Sequence, residues 1–172
     1  RFKNKAINSK ERGLGRLASQ PITITPIMPT GMSGVAVSVE AKLAYDEVKR
    51  EKRYRYIIYS IKNETVIDVE TKGDRAASYK DFLAEMEKHK DQCRYCLFDF
   101  PIGTSDQAKS PTIDRLVLIA WCPGDSTIRQ KVLYTTSYDG LKKALVGVYK
   151  YIQACNVQAL AQEEIEDALK RK

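Results

Sequence analysis

From Ser38 onward the apolar positions of the chain switch between two periods. Ala41, Ala44, Tyr45 and Val48 fall at helical spacing, with Ser38 placed to cap the helix N-terminus. Arg53 to Ile61 alternates instead. Tyr54, Tyr56 and Ile58 form one face and Ile57, Tyr59 and Ile61 the other, which predicts a strand covered on both sides. Asn63-Glu64 reads as a turn, Thr65 to Lys72 as the return strand, and Gly73-Asp74 as its break. Ser78 and Asp81 have the spacing of a capping box ahead of a helix with Tyr79, Phe82, Leu83 and Met86 on its buried face. Cys93 to Phe100 and Ile113 to Trp121 predict two further strands, separated by a Gly/Ser/Asp-rich loop from Pro101 to Pro111. Tyr151 to Ala154 predicts a short strand. Ile165 and Leu169 predict a last helix, with Glu163, Glu166, Asp167 and Lys170 facing out.

Residues 121 to 148 break this regularity. The strand ends at Trp121, Pro123-Gly124 turns, and Asp125 or Ser126 stands ready to cap a helix. Arg129 and Lys131 are interleaved with Val132 and Leu133, a mixture unsuited to a core-facing surface. Asp139-Gly140 is expected to interrupt the helix, since an interior glycine costs about 1 kcal/mol relative to alanine. A regular stripe of Leu141, Ala144, Leu145 and Val148 follows. A basic and aliphatic helical segment ahead of a buried one is the pattern of a docking surface on a rigid support. Short turns between successive strands predict antiparallel pairing, and amphipathic helices on both faces predict a layered α/β sandwich around a mixed sheet of about five strands.

Composition changes this picture at the N-terminus. Residues 1–32 hold six basic side chains and one acidic one, leaving the rest of the chain near balance despite an overall +7. Pro21, Pro26, Pro29, Gly13, Gly15 and Gly31 break any long element there, so 1–32 is expected to be a disordered extension and 33–172 the folded domain. Met32 is a candidate initiator. A transit peptide is the rival reading of the basic segment, opposed by its prolines. No apolar run approaches the roughly 20 residues of a membrane span, and no secretory h-region precedes the domain. The sequon at Asn63-Glu64-Thr65 therefore has little force.

Little here suggests catalysis. The single histidine, His89, lies in a charged run and reads as a solvated side chain. Phosphate-binding, GxSxG and HExxH motifs are missing from the sequence. Asp99 in an apolar strand reads as a structural, hydrogen-bonded carboxylate. Cys93 and Cys96 have CxxC spacing, but an offset of three in a strand puts them on opposite faces, which opposes zinc or dithiol chemistry between them. The four cysteines read as reduced and mostly buried. No cofactor or metal is expected. Ten tyrosines interleaved with basic residues, as in Lys52-Arg53-Tyr54-Arg55-Tyr56, keep a basic RNA-binding domain as an alternative.

Several blocks together resemble the ADF/cofilin family. They are Ser33-Gly34-Val35-Ala36-Val37, Asp68-Val69-Glu70-Thr71, Cys93-Arg94-Tyr95 with Leu97-Phe98-Asp99-Phe100, the helical stretch within residues 121–148, Leu145-Val146-Gly147-Val148 and Tyr151-Ile152-Gln153-Ala154. The resemblance covers residues 33–172 and implies the actin-depolymerising-factor homology fold in a monomeric, non-enzymatic protein. It implies binding to monomeric and filamentous actin, preference for ADP-actin, and promotion of severing and pointed-end loss. A monomer-sequestering or otherwise non-severing member of the fold is the alternative. The positions it marks for actin are Ser33, Gly34, Arg129, Lys131, Val132, Ser137, Lys142 and Lys143, with Val132 replacing the methionine usual in the family. For the filament it marks Arg115, Glu166, Asp167 and Arg171, with Ile113 and Asp114 beside Arg115 thinning the basic patch. Ser33 matches the family's inhibitory phosphorylation site, served by LIM-type kinases and a cofilin phosphatase. Arg129, Lys131, Lys142 and Lys143 are the implied phosphoinositide site. Lys150 stands where some vertebrate relatives carry a pH-sensing histidine. The implied location is cytoplasmic and cytoskeleton-associated, with access to the nucleus.

Overall fold

A computed structural model describes residues 28–29, 33–103 and 112–171 of the chain. Seven strands form one mixed sheet. They are β1 (Met28–Pro29), β2 (Ala36–Val37), β3 (Tyr54–Lys62), β4 (Val66–Asp74), β5 (Arg94–Gly103), β6 (Thr112–Trp121) and β7 (Lys150–Ala154), in the spatial order β1-β2-β4-β3-β5-β6-β7. β2 pairs parallel with β4 and β7 parallel with β6, and the other neighbours are antiparallel. Four α-helices flank the sheet: α1 (Val39–Lys49), α2 (Tyr79–Glu87), α3 (Ile128–Ala144) and α4 (Gln162–Lys170). Met28 and Pro29 pair with Val37 and Ala36, so the sheet takes in two residues of the segment expected to lie apart from it. The expected disorder of the remaining residues before 33 lies outside the described residues.

Two apolar layers divide the helices. Tyr45 and Val48 of α1, and Tyr134, Tyr138 and Leu141 of α3, pack on Ile57, Tyr59, Tyr95, Leu97 and Leu118. Phe82 and Met86 of α2, and Ile165 and Leu169 of α4, pack on Ile58, Cys96, Phe98, Val117 and Ile119. β5 and β6 contribute large side chains to both layers because, as central strands, they are covered on both faces. Burying one such Leu, Ile or Phe contributes roughly 1.5–3 kcal/mol. Cys93 lies in the first layer and Cys96 in the second, the opposite-face placement expected of their spacing.

Several local signals behave as the sequence predicts. Ser38 Oγ accepts from Ala41 N at 2.9 Å, and Ser78 and Asp81 form the reciprocal capping box. Three details differ. Tyr54 packs with the α1/α3 layer and not with Tyr56, because a bulge at Arg55 inserts an extra residue opposite β4 and resets the alternation. β4 continues through Gly73 to Asp74. The Tyr56 ring lies where a Cβ at Gly73 would be, 2.0 Å from Cε1, so the glycine makes room for an aromatic side chain and does not end the strand. β5 continues through Pro101 to Gly103, because β3 pairs only as far as Phe98 and leaves no ladder that needs a proline N–H.

Asp99 is fully buried, and its Oδ2 accepts from Lys52 Nζ at 2.8 Å and Arg75 Nη1 at 2.6 Å. The other arm of Arg75 holds Asp114, so one guanidinium ties β5 to β6. This carboxylate is structural, as its sequence context implies. Buried charge of this kind persists only when paired, and removing one partner is far costlier than the pair is stabilising.

His89 departs from the solvated reading. It is half-buried, and its Nε2 is enclosed without a hydrogen-bond partner among the described residues. Burial first, and then the Arg94 guanidinium, lowers its pKa below the ordinary 6.5. The unfolded chain therefore takes up a proton that the folded chain refuses. The stability this group contributes is complete above the ordinary histidine pKa and is lost as pH falls below it. Urea unfolding of His89→Gln should show a weaker loss of stability than the parent between about pH 7.5 and 5.5. Equal slopes would show that His89 is solvated in the native state.

Candidate functional site

The outer face of α3 is fixed by its inner face. Tyr134, Ser137, Tyr138 and Leu141 are buried at helical spacing against the sheet. Tyr95 Oη donates to the Tyr134 carbonyl, Tyr138 Oη donates to the Leu118 carbonyl at 3.1 Å, and Ile61 N–H donates to Tyr134 Oη at 2.9 Å. The Tyr95 ring lies 4.9 Å from that of Tyr134 and 5.7 Å from that of Tyr138. Burial raises all three phenol pKa values, so they remain neutral donors and acceptors.

α3 is capped by Thr127, whose Oγ1 accepts from Gln130 N, and not by Asp125 or Ser126. Ser126 is buried, and its hydroxyl instead donates to the Pro123 carbonyl at 2.6 Å. Nor does the helix break at Asp139-Gly140. Gly140 is buried within it, and the helix runs to Ala144. The tertiary contacts of Tyr138 and Leu141 on either side outweigh a helix-propensity cost of about 1 kcal/mol. Leu145 is the C-cap, which leaves Val148 beyond the helix though still packed on the core.

The face turned outward carries Ile128, 81% exposed, and Val132, 57% exposed, one helical turn apart. Arg129 flanks them and forms an exposed ion pair with Glu64 in the β3–β4 turn. Such a pair contributes about 0–1 kcal/mol, so Arg129 can exchange Glu64 for another carboxylate at little cost. Lys131 donates to the Gly124 carbonyl at 2.6 Å at the helix entrance. Ser33 and Gly34 lie alongside. Ser137 Oγ lies 3.0 Å from Ser33 Oγ and 2.7 Å from the Leu133 carbonyl. Ser137 is only 1% exposed, so its part is to hold the N-terminal segment against α3, not to meet a partner. Gly34 is exposed at φ +72°, a conformation that disfavours any side chain there.

Lys142 and Lys143 lie at the other end of α3, about 20 Å along the axis at 1.5 Å per residue. The Lys142 ammonium pairs with Asp139 and lies 4.8 Å from the Tyr138 ring and 5.8 Å from the Tyr151 ring. The four basic residues nominated for phosphoinositides therefore fall into two groups, Arg129 with Lys131 and Lys142 with Lys143.

A second surface lies toward the start of β6. The Arg115 guanidinium covers the Tyr149 ring at 4.5 Å, and the next residue, Lys150, donates to the Arg171 carbonyl at 3.1 Å. Arg115 and the end of α4 are thus joined through Tyr149 and Lys150. Glu166 accepts from Gln162, and Asp167 pairs with Lys170 at 3.8 Å. Asp114 does not stand as a free negative charge beside Arg115, because it pairs with Arg75 and lies within 3.8 Å of Arg55 and 4.0 Å of Lys52. Ile128, Glu64 and Tyr149 were not singled out from sequence. Ile128 was accessible to such reasoning, being the residue four before Val132 on the face opposite Tyr134 and Leu141.

The exposed aliphatic pair within its basic collar lies on a helix pinned to a mixed sheet covered on both faces, and this architecture is that of the actin-depolymerising-factor homology fold. The comparisons agree. Residues 34–170 match the family model of cofilin/tropomyosin-type actin-binding proteins. Actin-depolymerizing factor 1 of Petunia hybrida is 32% identical over 140 residues, 81% of this chain and 97% of its own. Cofilin of Mycosarcoma maydis is 33% identical over 139 residues, 81% and 96% of the two chains. The crystal structure of Streptomyces griseoflavus cofilin superposes with a TM-score of 0.72 at 29% identity, covering 80% of this chain and 98% of that one. This chain belongs to the ADF/cofilin family of non-enzymatic actin-binding proteins. No described helix is long and apolar enough to cross a membrane.

The tyrosine anchors have a measurable cost of removal. Tyr134→Phe should destabilise the domain by about 1–3 kcal/mol, because it strands the partly buried Ile61 N–H without an acceptor. A chemical denaturation curve unchanged from the parent would show that water replaces the phenol and that the hydroxyl is not an anchor.

Proposed function

We propose that this protein binds monomeric actin through the Ser33–Gly34 segment and the exposed face of α3, engages filaments through the Arg115–Tyr149–α4 surface as well, and promotes severing and depolymerisation. The observation that carries this reading is the exposed Ile128–Val132 pair set between Arg129 and Lys131 on an immobilised helix. Apolar burial supplies the attraction, and the basic collar favours a cleft with an acidic rim. No bond is made or broken. One bound molecule per subunit shifts the filament toward the conformer that it binds more tightly.

The same surface supports regulation by charge. Phosphorylation of Ser33 by a LIM-type kinase would add roughly −1.5 to −2 charges at neutral pH. That charge would fall beside Ser137, about two helical turns along α3 from Arg129 and Lys131, repelling an acidic partner surface until a cofilin phosphatase removed it. Phosphoinositide headgroups would compete with actin at Arg129 and Lys131, with Lys142 and Lys143 forming a second, separate point of contact. The cytoplasm, in association with the cytoskeleton, is the location that suits this function, and entry to the nucleus is compatible with it.

One observation favours a second reading, a monomer-sequestering or otherwise non-severing protein. At the filament surface Arg115 is occupied by Tyr149, and Glu166 and Asp167 are engaged within α4, which leaves few free charges. Co-sedimentation with filaments at two salt concentrations, paired with a monomer-binding titration, separates the two readings. Monomer binding without pelleting supports sequestration.

Replacing Arg129 and Lys131 together by Ala should weaken binding to monomer and filament by about tenfold or more, at 1.4 kcal/mol per factor of ten. The melting temperature should be nearly unchanged, since exposed charges contribute little to stability. Unaltered affinity in a folded variant would remove α3 from the interface. Ser33→Glu should weaken pelleting both in the full chain and in a chain beginning at Met32. Pelleting equal to the parent in the shorter chain would sink the phosphorylation switch.

A further inference from the structure

Cys93 and Cys122 face each other across the ends of two neighbouring strands. β5 and β6 pair in unbroken antiparallel register up to Arg94 opposite Trp121. Cys93 and Cys122 are the residues just beyond that pair, so extending the register by one sets them opposite each other, in keeping with the hydrogen bond between their side chains. The N–H of Cys122 donates to the Ala154 carbonyl of β7 at 2.9 Å and so points away from β5. The two cysteines therefore occupy a non-hydrogen-bonded position of the ladder, where Cα atoms are about 4.5 Å apart and side chains are closest. Disulfides span Cα separations of about 4.4–6.8 Å, so this position accepts one without moving either strand far. Both side chains pack on the same layer, the α1/α3 core. All four cysteines are free thiols.

The surroundings suit oxidation. Cys93 is fully buried, but Cys122 is half-exposed and lines a cavity of about 270 Å³ with Tyr134, Thr135, Tyr138 and Cys155. Cys93 Sγ lies 3.3 Å from the buried Ser126 Oγ. The Ser126 hydroxyl is itself committed to the Pro123 carbonyl. A hydrogen bond from Cys122 acts first on the Cys93 thiol, and the Lys131 and Arg94 charges add to it. Together they outweigh burial and pull the Cys93 thiol down to about 6, while Cys122 is pushed up as the donor of the pair. The contact gives the pair thiolate character, and a thiolate is the form of sulfur that attacks a peroxide.

We infer that Cys93 and Cys122 form a reversible dithiol–disulfide site, oxidised by a hydroperoxide that enters through the cavity beside Cys122. The Cys122 sulfur attacks one peroxide oxygen, the O–O bond breaks, and the Cys122 proton passes to Cys93. With hydrogen peroxide, hydroxide leaves and Cys122 becomes a sulfenic acid. The Cys93 sulfur then attacks the Cys122 sulfur, the S–O bond breaks, and water departs with the Cys93 proton. The two sulfurs lose two electrons in all, and the peroxide is reduced to one hydroxide and one water. A dithiol reductant reverses the reaction by exchange at Cys122. The assignment is independent of actin binding, because its product is covalent.

Trypsin leaves each of the four cysteines on a peptide of its own, so the product can be read directly. The reduced full chain is treated with hydrogen peroxide at a dose that converts free glutathione to its disulfide. It is then alkylated under denaturing conditions and digested without reductant. The expected result is a monomer with Cys96 and Cys155 alkylated and the Cys93 and Cys122 peptides linked, the link being lost on treatment with dithiothreitol. Cys155→Ser should form the same link, and Cys122→Ser should leave Cys93 alkylated. Four alkylated cysteines, a link from Cys122 to Cys155, or a dimer joined through Cys155 would each overturn the assignment. Should Cys122→Ser fail to fold, the Cys155→Ser map alone decides between the two partners of Cys122.

Discussion

The fold depends at its functional edge on three tyrosines that must be buried and hydrogen-bonded at once. Tyr95, Tyr134 and Tyr138 fill the space between α3 and the sheet, and each hydroxyl finds a backbone partner there. A phenol enclosed without such a partner would cost about 1–3 kcal/mol. The bonds therefore set the rotation of α3 about its axis as well as its distance from β5 and β6. Once that rotation is set, Ile128, Arg129 and Val132 can only face outward. The face proposed for binding is the remainder of a packing problem solved on the other side of the helix.

The sheet can carry such a helix because it is insulated on both sides. β5 and β6 bury aromatic and branched side chains into two layers, one under α1 and α3 and the other under α2 and α4. The charges that enter this region are paired at two places along β5, Arg94 with Glu70 at its start and Asp99 with Lys52 and Arg75 further along, where Arg75 also holds Asp114. That cluster determines what the second surface can offer. With Asp114 neutralised from within, Arg115 is left to the Tyr149 ring, and the surface there is an aromatic face under a cation and not an acidic patch.

The elements were legible where one physical signal dominated. Ser38, Ser78 and Asp81 cap helices because their side chains are matched to orphan N–H groups a fixed distance away, and no tertiary contact opposes them. The apolar runs of β5 and β6 read directly as strands covered on both faces. Readings failed where tertiary packing reversed a local preference. Gly140 sits inside a helix and Gly73 inside a strand, each because a neighbouring aromatic or aliphatic side chain is better packed that way. Tyr54 changed sides through a bulge that nothing in the alternation announces. At the site, Arg129 and Val132 were visible as charge beside aliphatic surface. The burial of Ser137 was not visible, because a serine's polarity gives no sign of its enclosure.

A prearranged face has an energetic consequence. Association loses translational and rotational freedom, and it also loses side-chain freedom wherever contact residues must be ordered. Here the backbone bearing Ile128 and Val132 is already held by the tyrosines, and both are branched side chains with few rotamers left to lose. The N-terminal segment is held to the same helix by the contact between Ser33 and Ser137, so its position too is set before a partner arrives. Modest apolar area can therefore be converted efficiently into affinity. By the same reasoning, the proposed control of binding would need no unfolding. A charge placed at the Ser33–Ser137 contact acts on groups that are already in place, and a small local change there is carried to the whole face by the rigidity of α3.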